Sequence, residues 1–305
     1  MQKALGVTIM EGWMRLHGRL PLAYHRWWGR VLGWLFRCVF HYRTDVVMIN
    51  LARSFPDKKY AELKEIGRRF YTHFATIFTE MIWFGACRGK KGRKRLHESH
   101  IVEITNPEEL NRLYAGARQL MLLEAHTGNW ELIGGILCYT YGEELTITAP
   151  RFAVTYNELS SRLWNSVMAH NRTAPVADLG FDGYVESAGI LRFALSRKQE
   201  KFGYSFITDQ SPYIYGGSMT LDFMNQKTRS MTGAAALACK LDMAVGYLRF
   251  RCREEGGYTL TIVPISDHAG ETTSEAVMKR YYELLEEDLR EQPWNYLWTH
   301  KRWKK

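Results

Sequence analysis

The chain has 305 residues, of which 41 are basic and 32 acidic, so its formal net charge at pH 7 is +9. A hydrophobic fraction of 46% and a charged fraction of 24% are ordinary for a globular protein, and they exclude a disordered or low-complexity chain. The ten Trp, 17 Tyr and 14 Phe residues form a heavy aromatic load. Because Trp and Tyr favour positions between apolar and aqueous surroundings, these residues and the positive charge indicate contact with an anionic membrane surface.

The cysteines and the apolar runs restrict the class of protein further. Five cysteines are scattered along the chain without a CxxC pair, which argues against a disulfide framework or a zinc site and favours a reducing compartment. The histidines also lack ligand spacing, so we expect no metal and no cofactor. Charges interrupt every apolar run of the first twenty residues, and the sequence predicts neither a secretory signal nor a clean membrane span.

Residues 24–40 predict an amphipathic basic helix. Apolar side chains recur there at helical spacing, and Arg26, Arg30 and Arg37 fall on the opposite face. Tryptophans together with arginines are typical of a helix that lies in the bilayer interface, with the arginines at the lipid headgroups. The alternative is a helix that packs on the protein's own core. We assign residues 1–45 to membrane-interface helices and residues 46–305 to a second, larger domain.

The remaining chain predicts a single α/β domain with a mixed sheet flanked by helices. Residues 59–84 have the 3.6-residue period of a long helix. Apolar runs predict strands at residues 119–123, 145–149, 204–208, 244–250 and 258–263, the last two as an antiparallel pair. A closing helix is expected over residues 274–290, with Ser274 as its N-cap.

The run from Arg88 to Arg95 holds six basic residues in eight. A run of this kind is often a solvated loop. It can also contact anionic lipid headgroups or an acidic protein partner.

His126 and Glu131 are the candidates for chemistry. His126 follows the predicted end of a strand, Gly128 lies in a polar turn, and Glu131 begins an apolar helical run. Ligands of open α/β sheets bind at such strand ends. Across the turn, the Glu131 carboxylate is near enough to orient the His126 imidazole and raise its basicity, as a general base requires. A histidine at a turn can equally be structural, so the pair alone does not identify an enzyme.

Several ordered stretches resemble those of one family. They are Tyr42-Arg43, Asn50-Leu51 and Ser54-Phe55-Pro56 near the beginning, His126 to Glu131 as a His-x4-Asp/Glu box, Arg151 after Ala149-Pro150, Thr208-Asp209-Gln210, Thr232-Gly233, and Leu297-Trp298-Thr299-His300-Lys301-Arg302-Trp303. Through them the chain resembles the lysophospholipid acyltransferase superfamily and, within it, the late (secondary, lauroyl or myristoyl) lipid A acyltransferases. The resemblance spans about residues 20 to 303. Two positions depart from the pattern: Asn225 replaces a glycine, and Thr208 replaces a proline.

The resemblance implies acyl transfer from a thioester, carried by acyl carrier protein, to a hydroxyl of a lipid A precursor. His126 would act as the general base, and Glu131 would hold its tautomer. Arg151 and the turn amides of Gly128 and Asn129 would stabilise the oxyanion. Asp209 would orient Arg151 or the acceptor. No metal or cofactor is implied.

The partners and location follow from the same resemblance. Acyl carrier protein is acidic, and the basic run at residues 88–95 with the C-terminal Lys301, Arg302, Lys304 and Lys305 would complement it. The protein is expected at the cytoplasmic face of the cell inner membrane, as a peripheral or monotopic protein on an anionic surface. Two alternatives stay open. The first is the same chemistry on another membrane lipid, such as a lysophospholipid or an amino lipid. The second is a non-catalytic binding protein, although no nucleic-acid-reading module is present and no nucleic acid is expected as a partner.

Overall fold

The computed structural model of the protein describes residues 5–158, 161–212 and 217–303. Its main sheet has seven strands in the order β1-β9-β8-β2-β5-β3-β4, and β6 and β7 form a separate hairpin. The strands are β1 (Val102–Ile104), β2 (Gln119–Glu124), β3 (Phe152–Tyr156), β4 (Tyr184–Glu186), β5 (Phe202–Ile207), β6 (Ser218–Phe223), β7 (Gln226–Met231), β8 (Ala244–Cys252) and β9 (Tyr258–Ser266). In the main sheet, β8 and β9 are antiparallel and the other neighbours are parallel. The predicted mixed α/β class is confirmed.

Helices cover both faces of this sheet. The α-helices of the described ranges are α1 (Leu5–His17), α2 (Leu22–Cys38), α3 (Thr44–Ser54), α4 (Tyr60–Gly85), α5 (Gly89–Glu98), α6 (Pro107–Gly116), α7 (Arg162–Arg172), α8 (Ile190–Ser196), α9 (Gly233–Lys240) and α10 (Ser274–Glu291). A 3₁₀ helix, Trp130–Cys138, follows the turn that contains His126. Buried side chains form one large apolar core on each face of the sheet. No helix of the described ranges is both long and apolar enough to span a bilayer.

Most of the predicted elements are present, with two local differences. The long helix, the closing helix and the antiparallel strand pair are confirmed as α4, α10 and β8–β9. Residues 145–149 do not form a strand. The Asn111 side chain accepts a hydrogen bond from the Thr146 N–H at 2.8 Å, so α6 satisfies this backbone in place of a neighbouring strand. The N-cap of α10 is Thr273, whose hydroxyl accepts from the Ala276 N–H, and not Ser274.

The pairing of β2 with β5 brings distant parts of the sequence together. The two strands are adjacent and parallel, and Glu124 at the end of β2 lies beside Ile207 at the end of β5. His126 and Asp209 each follow these residues by two positions. The two side chains therefore meet at the carboxyl edge of the sheet, where open α/β sheets bind their ligands.

Helix α2 packs along α4 through its glycines, which differs from the predicted apolar face. A Cβ on Gly29 would lie 2.5 Å from the Thr76 hydroxyl, and one on Gly33 would lie 2.6 Å from the Tyr71 carbonyl oxygen. Because hydrophobic periodicity gives glycine no weight, it does not identify this contact face. The prediction that Arg26 lies at the headgroups is wrong, because Arg26 turns inward to a buried carboxylate, Glu80, on α4.

The N-terminal and C-terminal motifs of the resemblance contact each other. Asn50 Nδ2 donates to the carbonyl oxygens of Trp298 and His300 at 2.9 and 3.0 Å, and Arg43 donates to that of Thr299 at 3.0 Å. The β6–β7 turn docks beside them, since Asn225 Nδ2 donates to the Ser54 carbonyl oxygen. Asn225 has a φ of +62°, a conformation that Asn tolerates well. This explains how asparagine can replace the glycine of the family pattern.

Candidate active site

His126 and Asp209 form the centre of the site. His126 Nδ1 lies 2.7 Å from Asp209 Oδ1, and the two side chains are 14% and 3% exposed. Burial raises the pKa of Asp209, but the charge of His126, its hydrogen bond and the charge of Arg302 more than offset this, so the pKa lies below its usual value. An ionised Asp209 only accepts hydrogen bonds, which places the proton of a neutral imidazole on Nδ1 and leaves a lone pair on Nε2.

Two neighbouring side chains define the surroundings of the His126 ring. Gln210 Nε2 lies 3.2 Å from His126 Nε2, which is a suitable distance for the amide to donate to the ring lone pair. The Trp130 ring meets the imidazole edge to face, with centroids 5.0 Å apart. His126 Nε2 therefore lies beside a neutral amide, and an aromatic ring packs against the imidazole.

Glu131 pairs with Arg172, and in the described ranges the hydrogen-bond partner of His126 Nδ1 is Asp209. The Arg172 guanidinium donates to both Glu131 oxygens, at 2.6 and 2.7 Å, and the Trp130 indole N–H donates to Glu131 at 3.1 Å. Burial raises the pKa of Glu131, whereas the Arg172 charge and these hydrogen bonds lower it below its usual value overall. Glu131 is thus connected to the His126 ring through Trp130, whose indole N–H donates to Glu131 and whose ring contacts the imidazole.

The turn after His126 is fixed by buried side chains. The Gly128 N–H donates to Asn295 Oδ1 at 2.6 Å, and Asn129 Nδ2 donates to Glu80 Oε2 at 3.0 Å. Of the two backbone amides that were expected as oxyanion donors, the Gly128 N–H is thus already engaged, whereas the hydrogen bond to Glu80 engages the side chain of Asn129 and not its backbone N–H. Gly128 has a φ of +57°, and a Cβ there would lie 2.5 Å from the Phe250 ring. Glycine is therefore required by the backbone and by the close packing.

Arg151 and His126 lie at opposite ends of the parallel strands, Arg151 at the amino ends and His126 at the carboxyl ends. It precedes β3, and the next residue, Phe152, is level with Gly203 near the start of β5. Asp209 lies six residues beyond Gly203, or roughly 20 Å at the rise of a strand. Arg151 instead pairs with Glu200 on the surface, where its side chain is 47% exposed. The structure therefore does not place Arg151 where it was expected, at the oxyanion. Arg151 leads into β3, so it lies at the amino ends of the parallel strands, whereas His126 and Asp209 follow the carboxyl ends of β2 and β5.

A second buried carboxyl group, that of Glu124, lies near the pair. Neither of its oxygens has a hydrogen-bond partner in the part of the chain that the structure describes. Burial and the negative charge of Asp209 raise the pKa of Glu124 to about 8. It is therefore mainly neutral at pH 7, and Asp209 keeps the negative charge of the site.

The arrangement fits general base catalysis on a hydroxyl. A carboxylate fixes the tautomer of the histidine, and the lone pair of Nε2, which the Gln210 amide contacts, is the group that can take up a proton. Within the described residues, no group of three or more His, Cys, Asp or Glu side chains is placed to hold a metal ion.

The sequence contained part of this site. His126 and Asp209 were both candidates, but their direct contact depends on the adjacency of β2 and β5, which the strand pattern does not specify. Arg172 and Gln210 were missed as site residues. Gln210 follows Asp209 directly and could have been found from the same strand end, whereas Arg172 ends α7 without any local pattern.

Comparison with known sequences identifies the family. A comparison with curated protein sequences gives no match. The sequence model of the family described as "Bacterial lipid A biosynthesis acyltransferase" matches residues 2–305. The match spans the helices, the sheet and the His126 turn. The chain therefore belongs to the bacterial lipid A biosynthesis acyltransferase family and is an acyltransferase.

Proposed function

We propose that the protein transfers a fatty acyl chain from the thioester of acyl carrier protein to a hydroxyl group of a lipid A precursor, with His126 as the general base. The observation that carries this proposal is the 2.7 Å contact between His126 Nδ1 and Asp209. It leaves Nε2 as the basic nitrogen of a histidine whose orientation is fixed.

The steps balance without a further reactant. The acceptor hydroxyl takes the place of the Gln210 amide at His126 Nε2 and gives its proton to that nitrogen. Its oxygen attacks the thioester carbonyl carbon, and the carbon–sulfur bond then breaks. The departing thiolate takes the proton from Nε2, so an ester and a thiol are formed. Asp209 stays ionised and stabilises the imidazolium between the two proton transfers.

The tetrahedral intermediate needs hydrogen-bond donors for its oxyanion. The Gly128 N–H and the Asn129 side chain are held by Asn295 and Glu80, so these groups are not our candidates. The backbone N–H of Asn129 remains a candidate from the sequence analysis. The Gln210 side-chain amide is a second candidate, because it lies beside His126 Nε2, the nitrogen that takes the proton of the attacking hydroxyl.

The basic run at residues 88–95 can serve an acidic carrier only through some of its residues. Arg88, Arg93 and Arg95 donate to carbonyl oxygens or to Asp178 of the protein itself. Lys90, Lys91 and Lys94 are exposed on α5, and the ion pair of Lys94 with Glu98 at 3.6 Å is on the surface and leaves the Lys94 side chain 75% exposed. We therefore assign the steering of acyl carrier protein to these three lysines, since exposed charges act mainly on the rate of encounter.

Reversing the three lysines to Glu is expected to raise KM for acyl carrier protein about tenfold or more at low salt and to leave kcat nearly unchanged. A contact far from the reacting atoms binds ground state and transition state alike. The matched control reverses the exposed Lys198, Lys240 and Lys279 and gives the same change in net charge. Equal KM values for the two triple variants, or equal use of acyl-CoA, would contradict the carrier assignment.

The acceptor is tested with defined lipids and purified protein. We expect acylation of a lipid A precursor that still has a free hydroxyl and no acylation of lysophospholipid or amino lipid. Product formation is followed by mass spectrometry. Acylation of lysophospholipid alone would remove the acceptor assignment while leaving the role of His126 intact.

Apolar side chains on α1 and α2 support attachment to a membrane surface. Leu5, Ile9, Trp13 and Leu16 follow helical spacing on one face of α1 and are 49–76% exposed. Trp27 and Trp34 on α2 are 50% and 54% exposed, and Arg30 beside them is also exposed. We propose that this face lies on the anionic cytoplasmic leaflet of the inner membrane, as a helix in a bilayer interface does.

Replacing Trp13, Trp27 and Trp34 with Ser is expected to weaken binding to vesicles of anionic lipid by on the order of 100-fold, because each half-exposed indole would lose about 1 kcal/mol of burial in lipid. Co-sedimentation with vesicles measures the effect. The control replaces Tyr60, Leu179 and Leu191, which are 38–69% exposed elsewhere. If both triple variants bind like the wild type, α1 and α2 do not form the membrane surface.

A further inference from the structure

Glu80, in the second half of α4, joins four parts of the protein around one buried carboxylate. Its side chain is 1% exposed. Oε1 accepts a hydrogen bond from Arg26 Nε of α2 at 2.9 Å. Oε2 accepts from Asn129 Nδ2 of the catalytic turn (residues 126–129) at 3.0 Å and from the Tyr258 hydroxyl of β9 at 2.8 Å. The acyl-transfer mechanism described above does not use Glu80.

Arg26 provides the positive charge for this carboxylate. A buried carboxylate without a cation is strongly unfavourable, so the ion pair depends on α2 remaining seated on α4. The turn between β8 and β9 leaves room for the guanidinium. Gly256 and Gly257 have φ values of +96° and +85°, and a Cβ on Gly256 would lie 3.0 Å from Arg26 Nη1.

The catalytic turn is held at two successive residues. The Gly128 N–H is bound by Asn295, close to the C-terminal motif, and the Asn129 side chain is bound by Glu80. His126 lies only three residues before Asn129. A shift of Asn129 would therefore move the imidazole relative to Asp209 and the substrate, and a displacement of about 1 Å can lower a rate by on the order of 100-fold.

We propose that Arg26 and Glu80 are positioning residues for the catalytic turn, acting through Asn129. Seating of α2 on α4 is then a requirement for catalysis as well as for attachment to the membrane. This inference rests on the proposed role of His126, and it gives α2 two functions on opposite faces. Trp27 and Trp34 face outward, and the Arg26 side chain binds Glu80, which in turn binds Asn129 of the catalytic turn.

The test measures kcat per folded molecule for Arg26→Met and Asn129→Ala in detergent micelles, where membrane attachment does not limit the rate. Both variants are expected to lower kcat about 10- to 100-fold, with KM for both substrates within about threefold of the wild-type value. The matched control is Arg249→Met. Arg249 is 20% exposed and pairs with Asp288, which is 3% exposed, so its loss also removes an arginine from a buried carboxylate, although Asp288 keeps Arg251 as a second partner.

A double variant separates positioning from stability. Arg26→Met leaves Glu80 charged and unpaired, whereas Arg26→Met with Glu80→Gln removes both charges and leaves an amide that can still bind Asn129. The double variant is therefore expected to recover at least part of both the melting temperature and kcat. In addition, the NMR signal of the His126 Nδ1 proton should shift in Arg26→Met and in Asn129→Ala but not in Arg249→Met.

Wild-type kcat per folded molecule in both Arg26→Met and Asn129→Ala would overturn the inference. If Arg26→Met does not fold, Asn129→Ala decides alone, because it removes the link without leaving a new charge. His126→Ala distinguishes failure of the positioning role from failure of the proposed function. An active His126→Ala variant would refute the proposed function itself. An inactive His126→Ala variant, together with wild-type kcat in Arg26→Met and Asn129→Ala, would refute only the positioning role.

Discussion

Replacing His126 with Ala is expected to lower kcat by about 10²- to 10⁴-fold while the protein remains folded. The side chain is 14% exposed and lies at the end of a strand, outside the two apolar cores. Its loss should therefore affect proton transfer far more than stability. Steady-state rates of acyl transfer measure the first effect, and thermal unfolding followed by circular dichroism measures the second. Activity within twofold of the wild type would refute the mechanism.

Asp209→Asn should have an effect of similar size, because an amide at this place can favour the tautomer with its proton on Nε2, which cannot accept a proton from the substrate. The two residues act as a unit. We therefore expect the variant with both substitutions to be hardly slower than His126→Ala alone. Multiplicative losses in the double variant would show that Asp209 acts elsewhere than on His126.

Replacing Arg172 with Met is expected to lower the free energy of unfolding by about 3–5 kcal/mol, because it leaves the Glu131 carboxylate buried and unpaired. Glu131 is 8% exposed and Arg172 is 23% exposed. Activity should fall as well, since Glu131 holds the indole that contacts the His126 ring. Urea unfolding curves measure the loss, and Arg172→Met combined with Glu131→Gln should restore part of it.

The control for this prediction is Arg280→Met. Arg280 and Glu283 form a surface pair with both side chains almost half exposed, and such a pair contributes less than about 1 kcal/mol. The contribution of the Glu131–Arg172 pair to the stability of the protein also depends on pH, with a definite sign. Because the pKa of Glu131 is lowered in the folded state, the Glu131–Arg172 pair stabilises the protein above the ordinary pKa of glutamate, and this stabilisation is lost as the pH falls through the folded value. Equal stability losses in Arg172→Met and Arg280→Met would contradict the account.

The sequence predicted those parts of the fold that depend on local patterns. Period 3.6 identified α4, and two neighbouring apolar runs identified the β8–β9 pair. The strand predicted at residues 145–149 does not form, because an alternating apolar run becomes a strand only where a neighbouring strand is available, and here Asn111 binds the backbone instead. The contact face of α2 was predicted wrongly for another reason. The α2–α4 contact depends on the absence of side chains at Gly29 and Gly33, which a hydrophobic pattern does not record.

Within the candidate site, the sequence identified the residues better than their partners. The His126 turn was found from its place after a strand, and Glu131 was expected to orient the imidazole because it is near in the sequence. The structure gives that contact to Asp209, which is 83 residues away, because β2 and β5 are neighbours in register. Arg151 was assigned to the oxyanion through the family resemblance alone. Its distance from the site became evident only from the direction of β3.

The central claim is that Asp209 holds the His126 imidazole with its proton on Nδ1. The most direct measurement is the ¹⁵N and ¹H NMR spectrum of the His126 ring in the wild type, Asp209→Asn and Glu131→Gln. We expect a downfield Nδ1 proton and the Nδ1–H tautomer in the wild type, loss of this signal in Asp209→Asn, and its retention in folded Glu131→Gln. A signal that survives Asp209→Asn and disappears in Glu131→Gln would show that Glu131, and not Asp209, orients the base.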